Sequence, residues 1–310
     1  GGGVRLEATE AADVILQPAG AYQWFGKSLQ IVHPGSESET GPGPATRSTG
    51  SEDSLLLVGA PVYHPQQEGS ERSAVGRVYG YDLQDLREGV TDPLFTMTGC
   101  HHAGSTGHAL AGCSSHLAFS ETGWNTTSTA TTTSTPVAPS DKIHAVERTK
   151  LMEGGESSAV LRAGRVLAVA WSPLLSTARE QPGIDLPVCS LTDTLGANSV
   201  STFEGDAFEG RYGSSLAFAG DGRLLVGAPL ADDGRGRVYR VDVTTGDEEE
   251  LYVSSRQDKG LGKARVGQSL VVSASDEGAG ASASAGAGVF VGAPYATTEG
   301  GEQTGVVLQL

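Results

Sequence analysis

Short apolar runs separated by turns rich in Gly, Asp and Ser recur along the chain, and three of them end almost identically. Leu55-Leu56-Leu57-Val58-Gly59-Ala60-Pro61 returns as Leu224-Leu225-Val226-Gly227-Ala228-Pro229 and as Val289-Phe290-Val291-Gly292-Ala293-Pro294. A short run of Leu and Val without helical spacing predicts a strand buried on both faces. The Gly permits a positive backbone angle or a close backbone approach, the Ala keeps the corner thin, and the Pro has no N–H to continue a ladder. Each phrase follows a shared turn and strand, Phe25-Gly26-Lys27-Ser28-Leu29, Tyr212-Gly213-Ser214-Ser215-Leu216 and Val266-Gly267-Gln268-Ser269-Leu270. Each precedes a third shared piece, Gly76-Arg77-Val78-Tyr79, Gly236-Arg237-Val238-Tyr239 and Gly305-Val306-Val307. Self-similarity of this kind predicts a repeat architecture whose units bury one another.

The strand content of one unit is most legible in the third copy. Ser214 to Phe218, Arg223 to Val226, Gly236 to Val241 and Glu250 to Val253 are β-prone runs set off by Gly- and Asp-rich turns. The first copy follows the same plan through Lys27 to Val32, Leu55 to Val58, Arg77 to Leu83 and Leu94 to Thr98. The last does so through Ser269 to Ser273, Val289 to Val291 and Val306 to Leu310, and the chain ends before a fourth strand. A worn copy lies between them, with Gly112-Cys113-Ser114-Ser115-His116-Leu117-Ala118-Phe119 in place of the opening turn and Val166 to Pro173 in place of the Gly-Ala-Pro strand. Four antiparallel strands per repeat make the blade of a β-propeller. The expectation is an all-β chain, a partial β-propeller of about four blades in one unit over 1–310, with repeats at about 20–99, 100–206, 207–256 and 260–310.

Composition narrows the setting. The 44 Gly among 310 residues fit a turn-rich β chain, and no apolar run approaches the length of about 20 residues that a membrane helix needs. A net charge of -16 repels nucleic acid and anionic membrane surfaces at long range, so nucleic acid is not an expected partner. The three cysteines, Cys100, Cys113 and Cys189, are too few for a disulfide scaffold. One pairing, Cys100 with Cys113, would close a short loop and leave Cys189 unpaired. Asn125 opens a glycosylation sequon and a Thr-rich stretch over 125–140 that reads as a flexible insertion, and the Gly/Ala/Ser loop at 279–288 reads the same way. The chain begins Gly-Gly-Gly rather than with Met, and is read as part of a longer protein.

Candidate chemistry is thin. Four of the seven His lie between Cys100 and His116, at 101, 102, 108 and 116, but the spacing matches no compact zinc motif, and a solvated Gly-rich loop explains them. Calcium is not expected, because Gly220-Asp221-Gly222 and Asp276-Glu277-Gly278 offer too few carboxylates and Asp232-Asp233-Gly234 stands after its Gly-Ala-Pro, out of place for such a loop. No Gly-x-Ser-x-Gly elbow is present. The acidic run Asp247 to Glu250 reads as a solvated turn, and Trp24 as core packing between blades. No catalytic residue, cofactor or metal ligand is therefore assigned within these residues.

The Phe-Gly and Gly-Ala-Pro punctuation, at Phe25, Gly26, Gly59, Ala60, Pro61, Tyr212, Gly213, Gly227, Ala228, Pro229, Gly267, Gly292, Ala293 and Pro294, resembles the FG-GAP repeats of integrin α-subunit propellers. Longer stretches, Trp24 to Leu29, Leu55 to Pro61, Gly76 to Tyr81, Phe95 to Gly99 and Ser201 to Asp206, are similar in order to the later repeats of the GPI-specific phospholipase D family. The resemblance implies a secreted glycoprotein whose zinc-dependent catalytic domain lies upstream, with this region supporting that domain and helping to recognise GPI-anchored glycoproteins. An integrin-α-like adhesion or carbohydrate-binding propeller without enzymatic activity is the alternative.

Overall fold

The computed structural model describes residues 16, 24–35, 54–64, 74–101, 103–124, 126–127, 159–160, 163–205, 210–220, 222–253, 262–273, 288–297 and 302–310. They are mostly β. The first sheet orders β1 (Ser28–Val32), β2 (Leu55–Ala60), β3 (Arg77–Asp82) and β4 (Phe95–Thr98), antiparallel throughout. The chain continues into β5 (Thr106–Gly112) and β6 (His116–Glu121), a two-residue ladder of β7 (Thr126–Thr127) with β8 (Ala159–Val160), and β9 (Arg165–Ala170). An excursion follows through a helix at Trp171–Glu180, strand β10 (Ile184–Pro187) and a short helix at Leu191–Leu195 before β11 (Val200–Glu204) completes the second sheet in the order β5, β6, β9, β11. The third sheet runs β12 (Ser215–Phe218), β13 (Arg223–Ala228), β14 (Arg237–Asp242), β15 (Glu248–Val253). The fourth runs β16 (Ser269–Val272), β17 (Val289–Ala293), β18 (Val306–Gln309).

Apolar runs become strands here because the middle sheets are covered on both faces. Alternate side chains of one strand enter different cores. Leu117, Phe119, Leu167 and Val169 pack toward Leu55, Leu57 and Phe95 of the first sheet. Their neighbours Ala118, Val166 and Ala168 pack toward Leu224, Val226 and Tyr239 of the third. Leu225 and Val238 turn the other way, onto Leu270 and Val291 of the fourth. On the outward faces of the two end sheets Leu29 and Ile31, and Val271 and Val307, lie 61%, 54%, 60% and 68% exposed, although Val58, Tyr79 and Tyr81 of the first are buried in a smaller cluster with Leu86, Leu16, Phe25 and Leu83.

One set of backbone contacts joins each sheet to the next. The N–H groups of Thr106, Tyr212 and Val266 donate to the carbonyls of Val75, Ala163 and Arg235, at 3.1, 2.8 and 2.9 Å. Beside those bonds a Cβ on Gly76, Gly164 or Gly236 would lie within 2.3 Å of backbone atoms of Thr106, Tyr212 or Val266. The Gly of Gly-Ala-Pro meets the following sheet as closely. A Cβ on Gly59 would stand 2.1 Å from the Gly107 carbonyl oxygen, and one on Gly227 equally far from that of Gly267.

These contacts correct the reading of the worn copy. The carbonyls of Tyr63, Trp124, Ala231 and Ala296 accept from Gly76, Gly164, Gly236 and Gly305 at 3.3, 3.2, 3.0 and 3.1 Å, so Gly164-Arg165-Val166 matches the Gly-Arg-Val piece. Thr106-Gly107 is then the opening turn, and Ser120-Glu121-Thr122 stands where Gly-Ala-Pro stands elsewhere. The strand at Gly112 to Phe119 was read one strand too late because Leu117-Ala118-Phe119 copies the letters of Leu216-Ala217-Phe218. Trp171 to Pro173 is no corner but the first turn of a helix, where a Pro leaves no hydrogen bond broken.

The excursion also corrects the disulfide. Strand β10 leaves its own sheet and pairs in parallel with β4, Ile184 opposite Phe95 and Pro187 opposite Thr98. This places Cys189 beside Cys100, and these two form the disulfide; Cys113 is free. Asn125, 128–140 of the Thr-rich stretch, Asp221, Asp276-Glu277-Gly278 and 279–287 lie outside the described residues. So does His102.

Two stability changes are expected. Gly227→Ala should cost about 1–3 kcal/mol through overpacking against backbone that cannot retreat, whereas Gly262→Ala, with nothing within 4 Å of the new methyl, should stay within about 0.5 kcal/mol. Equal denaturation midpoints would contradict the close approach. Replacing Cys100 and Cys189 together by Ser should cost about 2–4 kcal/mol, since the bridge closes a sequence separation of 89. A matching loss on reduction of the native chain is the check.

Candidate functional site

The same strained turn precedes the first strand of every sheet. Trp24, Ser105, Arg211 and Arg265 take positive φ of 50, 56, 52 and 54°, a region that residues other than Gly rarely enter. Two residues later Gly26, Gly107, Gly213 and Gly267 are also left-handed, at 82 to 85°. The N–H groups of Lys27, His108, Ser214 and Gln268 then donate back to the carbonyls of those four strained residues, at 3.0, 3.2, 3.1 and 3.2 Å. Four turns of one geometry thus present the residues at their two ends.

Their side chains line an open cavity of about 370 Å³, into which the turns bring Lys27, His108, Arg211, Ser214, Arg265 and Gln268. Apolar wall comes from Pro229 and Pro294, the prolines of two Gly-Ala-Pro phrases, and from Tyr295, over whose ring the Arg265 guanidinium sits at 4.3 Å. No carboxylate lines the cavity among the described residues. Burial first, and then the charges of Lys27 and Arg211, lower the His108 imidazole from its usual 6.5 to about 4, leaving it neutral at pH 7.

A second recurrent feature is structural. The arginine of Gly-Arg-Val is paired with a carboxylate in three sheets: Arg77 with Asp185 at 2.8 Å, Arg165 with Glu121, and Arg237 with Asp232 at 2.8 Å. Asp185 also accepts from the hydroxyls of Thr96 and Thr98, at 3.0 and 2.6 Å. Glu121 is fully buried and accepts from Thr106 as well, and Arg165 lies 3.5 Å over the Trp124 ring. Every partner in these groups is engaged, so they hold the sheets rather than offer a ligand position.

The residues that sequence reading set aside fall in separate places. His101 packs edge-on against Trp124, its imidazole pushed below the usual range mainly by burial; His108 lines the cavity; His116 meets the Ser115 hydroxyl at 2.7 Å. Among the described residues no group of three or more His, Cys, Asp or Glu converges as metal ligands would. Asp232 is engaged by Arg237 from a turn with positive φ at Asp232 and Asp233. Glu248 to Glu250 are in β15 rather than in a turn, with Glu249 paired to Arg240. Trp24 is 64% exposed and not core: it sits in the strained turn of the first sheet. Phe25 alone packs inward, edge-on to Tyr79 at 5.3 Å. Sequence reading missed the cavity because its cations are spread from residue 27 to residue 265, though the equivalence of three of the four turns was already in the letters.

Among the described residues no helix is long and apolar enough to cross a membrane. No protein-family model and no curated protein matches the chain.

The partly buried, neutral His108 has a measurable consequence. The unfolded chain binds a proton near pH 6.5 that the folded chain takes up only near 4, so stability should fall as pH drops through that window. An NMR titration should keep the His108 ring resonances at their neutral positions until about pH 4, and the Lys27→Gln variant should titrate higher.

Proposed function

We propose that this chain is an arc of a β-propeller, four FG-GAP-type blades, forming the non-catalytic part of a secreted protein related to the GPI-specific phospholipase D family. Its work there is to support and orient the hydrolase domain and to take part in recognising the anchored glycoprotein. The observation that carries the architectural reading is the repetition of one backbone junction, Val75 to Thr106, Ala163 to Tyr212 and Arg235 to Val266. Units joined by one constant step turn about a common axis, and a propeller is that arrangement with four-stranded sheets.

The parentage rests on the phrases around Trp24 to Leu29, Leu55 to Pro61 and Gly76 to Tyr81. The second reading, an integrin-α-like adhesion or carbohydrate-binding propeller, is favoured by the cavity at the inner turns, because a module that only braces another has no use for one. The reading frame upstream separates the two: a His-rich zinc phospholipase domain belongs to the first, and further FG-GAP repeats directly after a signal peptide belong to the second. In either reading no hydrolytic site is assigned to these residues. The purified chain, supplied with zinc, should release no GPI-anchored protein from membranes, and clear release would overturn the non-catalytic assignment.

A further inference from the structure

We propose that the cavity at the four inner turns is a binding site for the phosphate group of a small organic phosphate ester. Lys27, Arg211 and Arg265 bring three permanent positive charges to one cavity in a chain whose net charge is -16. None of the three has an ion-pair partner among the described residues, in contrast to Arg77, Arg165 and Arg237, each of which does. Cations gathered without a counter-ion repel one another, and an oxyanion is the ligand that turns this repulsion into attraction. Arginine forks and a lysine ammonium are the side chains that recognise phosphate.

The remaining lining extends this to an organic ester. The Gln268 amide adds two donors, and the neutral His108 ring has one N–H to offer. The volume, about 370 Å³, is within the roughly 300–1,000 Å³ of small-ligand sites. Pro229, Pro294 and the Tyr295 ring supply the apolar surface against which the body of such a ligand lies. The Arg265 guanidinium, stacked on Tyr295, stands between the charged and apolar parts. The chemistry of this cavity is independent of the parent protein proposed above.

Isothermal titration of the full chain in phosphate-free buffer tests it, with glucose 6-phosphate, inorganic phosphate and glucose as probes. Binding of glucose 6-phosphate, weakened by salt and competed by inorganic phosphate, is the expected result, and glucose alone should not bind. If inorganic phosphate binds as tightly as the ester, the site takes the free anion and the assignment to an ester is overturned. Lys27→Gln and Arg211→Gln, at exposed positions, should each weaken binding about tenfold or more, since a charged hydrogen bond is worth about a factor of ten or above. Thermal melts equal to the parent chain's establish that both variants fold. No binding of either phosphate probe at millimolar concentration overturns the proposal, as does binding that both variants leave unchanged.

Discussion

At one recurrent set of contacts the sheets meet backbone to backbone, and that approach sets the spacing of what packs beside it. Gly59 against Gly107, and Gly227 against Gly267, leave no room for a Cβ. Elsewhere in the interface of the first two sheets larger side chains pack: Phe95 and Met97 of the first sheet's fourth strand are fully buried, and Trp171, Leu174 and Ala178 of the helical excursion join the same core. Small residues at the backbone contacts and bulky ones elsewhere fill the interface between the first two sheets. Residue size therefore sets how closely the sheets approach, and at Gly59 and Gly227 a Cβ would meet backbone that cannot retreat.

The second sheet shows that the constraint is on space and not on letters. In the first and third sheets a Ser faces the Gly across the strand pair, and Ser28 and Ser215 donate to the Gly107 and Gly267 carbonyls at 2.8 and 2.7 Å. In the second, the pair is exchanged: Ala109 stands at the Ser position and Ser120 at the Gly position, and the Ser120 hydroxyl accepts from the Ala109 N–H at 3.0 Å. The neighbouring position is exchanged too. Glu121 replaces the Ala of Gly-Ala-Pro, and the aromatic that opens the first and third sheets, Phe25 or Tyr212, is reduced to Thr106, whose hydroxyl bonds that carboxylate. A buried acid enters because the residue beside it shrank and because Arg165 neutralises it.

These exchanges explain what was legible in the sequence. Three copies of the repeat and nearly all their strands could be read, because alternation and Gly-Ala-Pro punctuation are local signals. The second copy lost its punctuation and kept only its backbone contacts, so a chance match at Leu117-Ala118-Phe119 shifted the reading by one strand. Gly164-Arg165-Val166 was the signal that fixes it. The Cys100–Cys189 bridge was not legible, since it depends on β10 crossing back to β4, a parallel pairing over a separation that no local pattern records.

The cavity was illegible for a related reason, and it differs in kind from the rest. The strained turn recurs with Trp24, Ser105, Arg211 and Arg265 at its positive-φ position, so its backbone imposes no one side chain there. The strain, of order 1–3 kcal/mol at each such residue, is borne whichever residue is chosen. Folding therefore does not require arginine at two of the four positions, nor lysine at the end of a third turn. It is set back by that choice, because the gathered charges repel one another and, after burial, those of Lys27 and Arg211 lower the His108 imidazole further. Elsewhere in this chain each Gly-Arg-Val arginine is met by a carboxylate within the fold. Here, among the described residues, the fold leaves the charge unmet, and a local rule broken at a cavity is where binding is to be sought.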